Sequence, residues 1–293
     1  MDEELVDLLF KTSAFKVADS EHPFWYTSGK LGPYFINVDY LYGSADDSKE
    51  LLSKIDSWLE NESKEEIPYL LYEEIMNHYD ENEIFKTTID KMVDYIENNF
   101  EMNLIDYVSG GERRDWYFSV PIAALLGKPH ITIYKDLTTV ASTSDFEEST
   151  LIDSVSGKRM LHVADILNTA SSFEKAWVPA INNMGSKINW AFYVVDRNQN
   201  GEANLKDMEV KPYSLIKIGE DLFNLALNNK TIDKSQYDVL IKYFEDPDGT
   251  MREFIINHPT FIDDTIKEGD IKSAKRAMLC KEKNWYGNTI GEE

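Results

Sequence analysis

The sequence contains one cysteine, Cys280. That excludes an internal disulfide framework and a cysteine-cluster metal site, and it suits a reducing, cytoplasmic setting. No apolar run approaches the roughly 18 to 20 residues that cross a bilayer, so no membrane span is expected. The start, Met1-Asp2-Glu3-Glu4, lacks the basic residues and apolar core of a secretory signal. Basic residues are scarce: 30 Lys and Arg stand against 53 Asp and Glu, for a formal net charge of −23. Duplex nucleic acid is bound by neutralising its phosphates, so it is excluded as a partner. There is no Ser-His-Asp arrangement, no His-Glu-x-x-His, no internal repeat and no low-complexity tract.

Aromatic residues are plentiful, and 293 residues at 42% hydrophobic content support one large domain or two smaller ones with real cores. Apolar spacing predicts a short helix over 5–10 and an extended segment over 14–17. It also predicts a hairpin of 24–26 with 34–37 about the Ser28-Gly29 turn. Three charged amphipathic helices follow, over 48–59, 69–79 and 85–96. Strands over 104–108, 131–134, 159–164, 188–195 and 213–218 then alternate with helices over 116–126, 171–182 and 220–228. Residues 137–156 read as polar and irregular, and the chain from 233 onward as helical. Alternating strands and helices specify an α/β fold with a parallel sheet covered on both faces. Ligands of such sheets sit at the carboxyl ends of the strands.

Four segments carry candidate chemistry. The strand ending at Ala164-Asp165 runs into Asn168-Thr169-Ala170-Ser171-Ser172, small and hydroxylated residues that open a helix. This reads either as a capped helix start or as an anion site made of backbone N–H groups and the helix dipole. Ser109-Gly110-Gly111-Glu112-Arg113-Arg114 sets two arginines beside a glycine turn, and in so acidic a chain a phosphate role is favoured over a solvated pair. Asp196-Arg197 enters a loop ending at Gly201, and Thr27-Ser28-Gly29-Lys30 precedes Pro33-Tyr34-Phe35. Asp196, Asn198, Asn200, Gly201 and Asp207 also fit a calcium-loop template, but such a loop follows a helix, and residues 190–195 read as a strand. His130 and His162 lie on apolar strands and read as core residues, and Trp58 and Trp177 as packing.

Taken in order, these segments resemble the type I phosphoribosyltransferases, nearest in pattern to the orotate phosphoribosyltransferases. The resemblance covers about residues 8–229. It implies a phosphoribosyltransferase-like domain over 1–230, with an N-terminal hood and a helical insertion near 45–99, and a C-terminal helical extension over 231–293. It implies phosphoribosyl pyrophosphate (PRPP) and orotate or a related base as ligands, Mg²⁺ as cofactor with Asp165 toward the metal, and a homodimer. Residues 168–172 would hold the 5′-phosphate, and Gly110, Gly111, Arg113 and Arg114 the pyrophosphate. Ser28, Lys30, Tyr34, Phe35 and Arg197 would hold the base, with Asp165 and Lys135 catalytic. Two departures stand out. The family's acidic pair is Ala164-Asp165 here, and the cationic catalytic loop is reduced to Lys135, since 137–149 contains no Lys, Arg, His or Gly. The implied activity is orotate phosphoribosyl transfer; the alternative is a homologue that binds PRPP or a nucleotide as a sensor or regulator.

Overall fold

The computed structural model describes residues 2–287. Helix α1 (Glu3–Lys11) starts at Asp2, whose side chain accepts from the Leu5 N–H at 3.0 Å. Short strands β1 (Phe15–Val17), β2 (Phe24–Trp25), β3 (Leu31–Gly32) and β4 (Tyr34–Ile36) follow. The expected hairpin is re-paired. β2 joins β3 across the Ser28-Gly29 turn, while β4 joins β1. Gly29 at φ +81° closes the turn tightly, so the partner strand begins at Leu31, earlier than expected.

The three charged helices form as read: α2 (Ala45–Asn61), α3 (Ile67–Glu81) and α4 (Glu83–Asn99). Ser44 and Asn82 cap the first and third through side-chain oxygens, as small polar residues do at helix starts. Next come β5 (Tyr107–Gly111), α5 (Asp115–Leu125), β6 (His130–Ile133), β7 (Thr139–Ser142), β8 (Ser149–Leu151), β9 (Arg159–Leu167), α6 (Val178–Asn183), β10 (Lys187–Asp196), α7 (Gly201–Asp207) and β11 (Lys211–Lys217). The sheet order is β11-β10-β9-β5-β6-β7-β8. From β11 to β6 neighbours run parallel; β7 and β8 add antiparallel strands at one edge.

That edge corrects the reading of 137–156 as irregular. β7 and β8 are short and rich in Ser and Thr, so they carry no hydrophobic alternation to betray them. What fixes them is ladder pairing and one inward residue, Phe146, which is fully buried and stacks on Tyr72 with ring centroids 5.1 Å apart.

The central strands are buried on both faces. Met160 and Ala164 of β9 pack with Trp177, Ile181 and Tyr193 in one cluster. On β10, Phe192 stacks on Tyr95 of α4 at 5.1 Å. Leading into α6, residues 173–177 form a π-helical turn, and Pro179, which has no N–H to donate, falls just after it.

The chain divides into two compact units, 1–14 with 37–218, and 15–36 with 219–293. This departs from a boundary at 230: helix α8 (Glu220–Asn228) and the hood strands cluster with the C-terminal helices α9 (Lys234–Glu245), α10 (Pro247–Asn257), α11 (Phe261–Glu268) and α12 (Ile271–Lys283). The reason is a shared core in which Trp25 and Leu31 pack with Met251, Ile262, Ala277 and Cys280. Tyr286 accepts from the Leu31 N–H through its hydroxyl oxygen at 2.6 Å.

Candidate active site

The first unit contains a cavity of about 320 Å³ at the carboxyl ends of β5, β6 and β9. Its lining brings together Asp165, Asn168, Ala170, Ser171, Ser172, Arg113, Arg114 and Lys135 from segments far apart in sequence. Thr169, Gly110 and Gly111 do not line it. The Thr169 carbonyl accepts from Asn204 Nδ2 at 2.9 Å. The two glycines are strand residues pressed by neighbours: a Cβ on Gly111 would lie 2.2 Å from the Trp177 ring, and one on Gly110 2.1 Å from Ser119 Oγ. Their smallness serves packing behind the cavity.

Strand β9 runs further than expected, to Leu167, and so carries Asp165 on rigid backbone. Asp165 Oδ1 accepts from the Ile166 N–H at 2.7 Å. Burial, with the Asp115 and Asp39 carboxylates nearby, holds the Asp165 carboxyl well above its ordinary value of 3.8. The turn then places Ala170 at φ +58°, the left-handed conformation that favours glycine. Helical structure begins at Ser171, directing its first N–H groups toward the turn.

This turn is buttressed from the next βα loop. The Arg197 N–H donates to the Leu167 carbonyl at 2.9 Å, and Arg197 Nη1 lies 3.5 Å from Asn168 Oδ1. Gly201 is so close that a Cβ there would sit 2.4 Å from the Asn168 carbonyl oxygen. Asp196 is buried, accepts from the Asn198 N–H at 2.7 Å and ends a strand, so the calcium-loop template has no helix before it.

The cations that line the cavity are paired. Arg113 pairs with Asp56, and Arg114 Nε lies 3.1 Å from Asp39 Oδ2. Lys135 Nζ lies 3.3 Å from Glu112 Oε1. The segment after β6 is a tight turn: the Tyr134 N–H donates to the Thr138 carbonyl, and Leu137 N–H to the Tyr134 carbonyl, each at 2.9 Å. Lys64, in the helical insertion, reaches this turn at 2.5 Å from Asp136 Oδ2 and 2.8 Å from Thr138 Oγ1.

Sequence reading named no Ser-His-Asp arrangement, yet three such residues align here. Ser109 Oγ lies 3.0 Å from His162 Nδ1, and His162 Nε2 lies 3.5 Å from Asp115 Oδ2. Ser109 and His162 are fully buried, so this row positions Asp115 and offers no nucleophile. His130 is a core residue as expected; burial lowers its pKa to about 3. Sequence reasoning also missed Asp39, Asp56, Glu112 and Asp115. Glu112 and Asp115 flank the arginines in sequence, Asp39 and Asp56 do not, and acidity is common throughout this chain.

The remaining sequence candidates lie in the second unit. There Lys30 Nζ is 2.8 Å from Asp248 and 4.6 Å from the Trp285 ring centroid. Tyr34 is buried and stacks on Phe15 at 5.3 Å, and Phe35 lies 6.1 Å from Phe24. Ser28 is exposed, and its carbonyl accepts from Trp285 Nε1 at 3.0 Å.

Among the described residues no cluster of three or more His, Cys, Asp or Glu side chains could cage a metal. The cavity does fit Mg²⁺ in a different way. Asp165 and Asp115 each have one oxygen anchored by a backbone N–H and the other without a hydrogen bond among the described residues. Magnesium is commonly held by one or two carboxylates with water and substrate phosphates. No described helix is long and apolar enough to cross a membrane.

No protein-family model matches the chain. It is 31% identical over 176 residues to the orotate phosphoribosyltransferase of Sulfurisphaera tokodaii, a match covering 60% of this chain and 83% of that protein. It is 27% identical over 158 residues to the adenine phosphoribosyltransferase of Mannheimia succiniciproducens, covering 50% and 85%. Among solved structures, the orotate phosphoribosyltransferase of Francisella tularensis superimposes with a TM-score of 0.53 at 14% identity, covering 83% of this chain and 98% of that one. That last likeness concerns the fold alone.

Proposed function

Because the chain belongs to the type I phosphoribosyltransferase family, with similarity to its orotate members, we propose that the cavity binds PRPP and transfers its phosphoribosyl group to orotate or a related base, releasing pyrophosphate. One observation carries this reading. Asp165, Asn168, Ala170, Ser171, Ser172, both arginines and Lys135 converge on a single cavity at the strand ends. Backbone N–H groups at the helix start and the hydroxyls of Ser171 and Ser172 suit the 5′-phosphate. Asp165 accepts from the ribose hydroxyls. Arg113, Arg114 and Lys135 stabilise charge growing on the departing pyrophosphate. Arg197, beside the turn, presents a guanidinium fork to the orotate carboxylate. Mg²⁺, when bound with PRPP, would neutralise its phosphate oxygens, with Asp165 toward it. Ser28, Lys30, Tyr34 and Phe35 keep a base-binding assignment on motif resemblance alone, and a homodimer on the same ground.

A second reading, binding without turnover, is favoured by the turn 134–138, which is short and offers Lys135 as its only cation. Calorimetric titration with PRPP and Mg²⁺, then orotate, with pyrophosphate followed in the same samples, separates the two. Orotate-dependent release supports the transferase. Binding without release supports the sensor, and no binding overturns both.

A further inference from the structure

Two carboxylates are the natural partners of a vicinal diol, since each hydroxyl donates one hydrogen bond and ionised acceptors make the stronger ones. At the position where the family's first acid would stand, this chain has Ala164. Ala164 lines the cavity with only a methyl group, so its side chain offers no acceptor there. The preceding βα loop delivers another carboxylate to the same cavity, that of Asp115 at the start of α5. We propose that Asp115 is the second carboxylate of the ribose clamp, replacing the acid absent at Ala164. This inference rests on the phosphoribosyl reading of the site.

The two side chains are held alike. Asp165 Oδ1 takes the Ile166 N–H at 2.7 Å, and Asp115 Oδ2 takes the Gly111 N–H at 3.2 Å. In each, the second oxygen has no hydrogen bond among the described residues and remains available to a ligand. Asp115 Oδ2 also faces His162 Nε2 at 3.5 Å, a fully buried nitrogen with no hydrogen-bond partner among the described residues, on a ring whose Nδ1 lies 3.0 Å from Ser109 Oγ. The two carboxylates are close enough that, after burial, Asp115 is the main cause raising the Asp165 carboxyl. Of the other acids nearby, Asp39 does not line the cavity, and Glu112 has both oxygens engaged by Lys135. Asp39 is buried, accepts from Ser48 at 2.5 Å and pairs with Arg114. Neither substitutes for Asp115.

The test compares ribose 5-phosphate with 2,3-dideoxyribose 5-phosphate, which keeps the phosphate and loses the diol. Affinities are measured by calorimetry on the full chain, the Asp115→Asn variant and the Asp115→Asn/Ala164→Asp double variant. The native chain should prefer the ribose. Asp115→Asn should shrink that preference about 10-fold or more, the loss of one hydrogen bond to a charged group, with dideoxyribose binding unchanged. Adding Ala164→Asp should restore part of it. If the Asn variant unfolds, Asp115→Ser, which keeps a first-turn acceptor, takes its place. A variant that weakens both sugars equally, or keeps the full preference, overturns the inference while the phosphoribosyl reading stands. If the native chain binds neither these sugars nor PRPP, that reading falls and the clamp with it.

Discussion

The two sides of the cavity contrast. On one side, the turn 168–172 is fixed by β9, by the Arg197 N–H and by the close approach of Gly201. On the other, the segment after β6 is a five-residue turn, Tyr134–Thr138, sealed by its own hydrogen bonds and by Lys64, with Lys135 as its cation. On the proposed function, the first side would hold a ground-state phosphate and the second would face the group whose charge grows during transfer. Enzymes gain rate only from contacts that strengthen in the transition state. On that reading the molecule would be better equipped for binding than for acceleration, and the two are separable by experiment.

The largest effect should come from Asp165. Asp165→Asn should weaken PRPP about 100-fold, near the upper range for removing a charged acceptor. The same change should stabilise the free protein. A carboxyl held above its ordinary value binds its proton more tightly when folded than when unfolded. Native stability is then greatest below the unfolded value of 3.8 and falls as pH rises through the folded value. In EDTA at neutral pH, the Asn variant should melt higher, by about 2–4 °C for each kcal/mol relieved. The gain should vanish in acid. A lower neutral Tm with intact PRPP affinity would refute the placement of this carboxylate.

Lys135→Ala probes the thinner side. Lys135 is exposed and its partner Glu112 is nearly buried, so folding should depend little on the pair. PRPP affinity should drop about 10-fold while ribose 5-phosphate, which lacks pyrophosphate, binds as before. Equal losses for both ligands would show that the cavity has no separate leaving-group side.

Gly201→Ala probes the better-built side and should have a smaller effect. The added methyl meets a backbone carbonyl, which gives way less easily than a side-chain tip. Overpacking of this kind costs about 1–3 kcal/mol, seen mainly as a lower Tm. Because the turn itself must shift, ribose 5-phosphate should bind a few-fold more weakly. An unchanged Tm would mean that the α7 loop yields freely and buttresses nothing.

How much of this was legible follows from what kind of signal each feature leaves. The central strands and the helical insertion announced themselves because burial on two faces, or on one helical stripe, forces apolar residues into recognisable spacing. Asp165, the turn after it and Arg197 were legible because small residues and charges at strand ends are locally unusual. β7 and β8 were not, since edge strands can be polar on their outer face, and only pairing reveals them. Asp115 and Asp39 were invisible for another reason: among 53 acidic residues, nothing local separates a carboxylate that faces a cavity from one that faces water. The clustering of the hood strands with the C-terminal helices leaves no local signal, because Trp25 and Leu31 pack with helices more than two hundred residues away in sequence.

The smallest effect concerns Ala170, which sits where glycine is expected and nonetheless adopts φ +58°. A Cβ in that region costs about 1 kcal/mol of backbone strain, whereas glycine there would give the unfolded chain more freedom to lose. The two terms oppose each other. Ala170 is buried in the cluster with Phe173, so its methyl also contributes packing that glycine would forfeit. Ala170→Gly should therefore shift Tm by less than about 2 °C in either direction. Its effect on binding isolates a different quantity. The phosphate side owes its strength to a turn already held in one shape, and glycine leaves that shape less populated before the ligand arrives. Ribose 5-phosphate affinity should fall by less than about 3-fold. A gain in affinity instead would mean that the Ala170 methyl crowds the phosphate, and that the turn is less fitted to its ligand than its buttressing suggests.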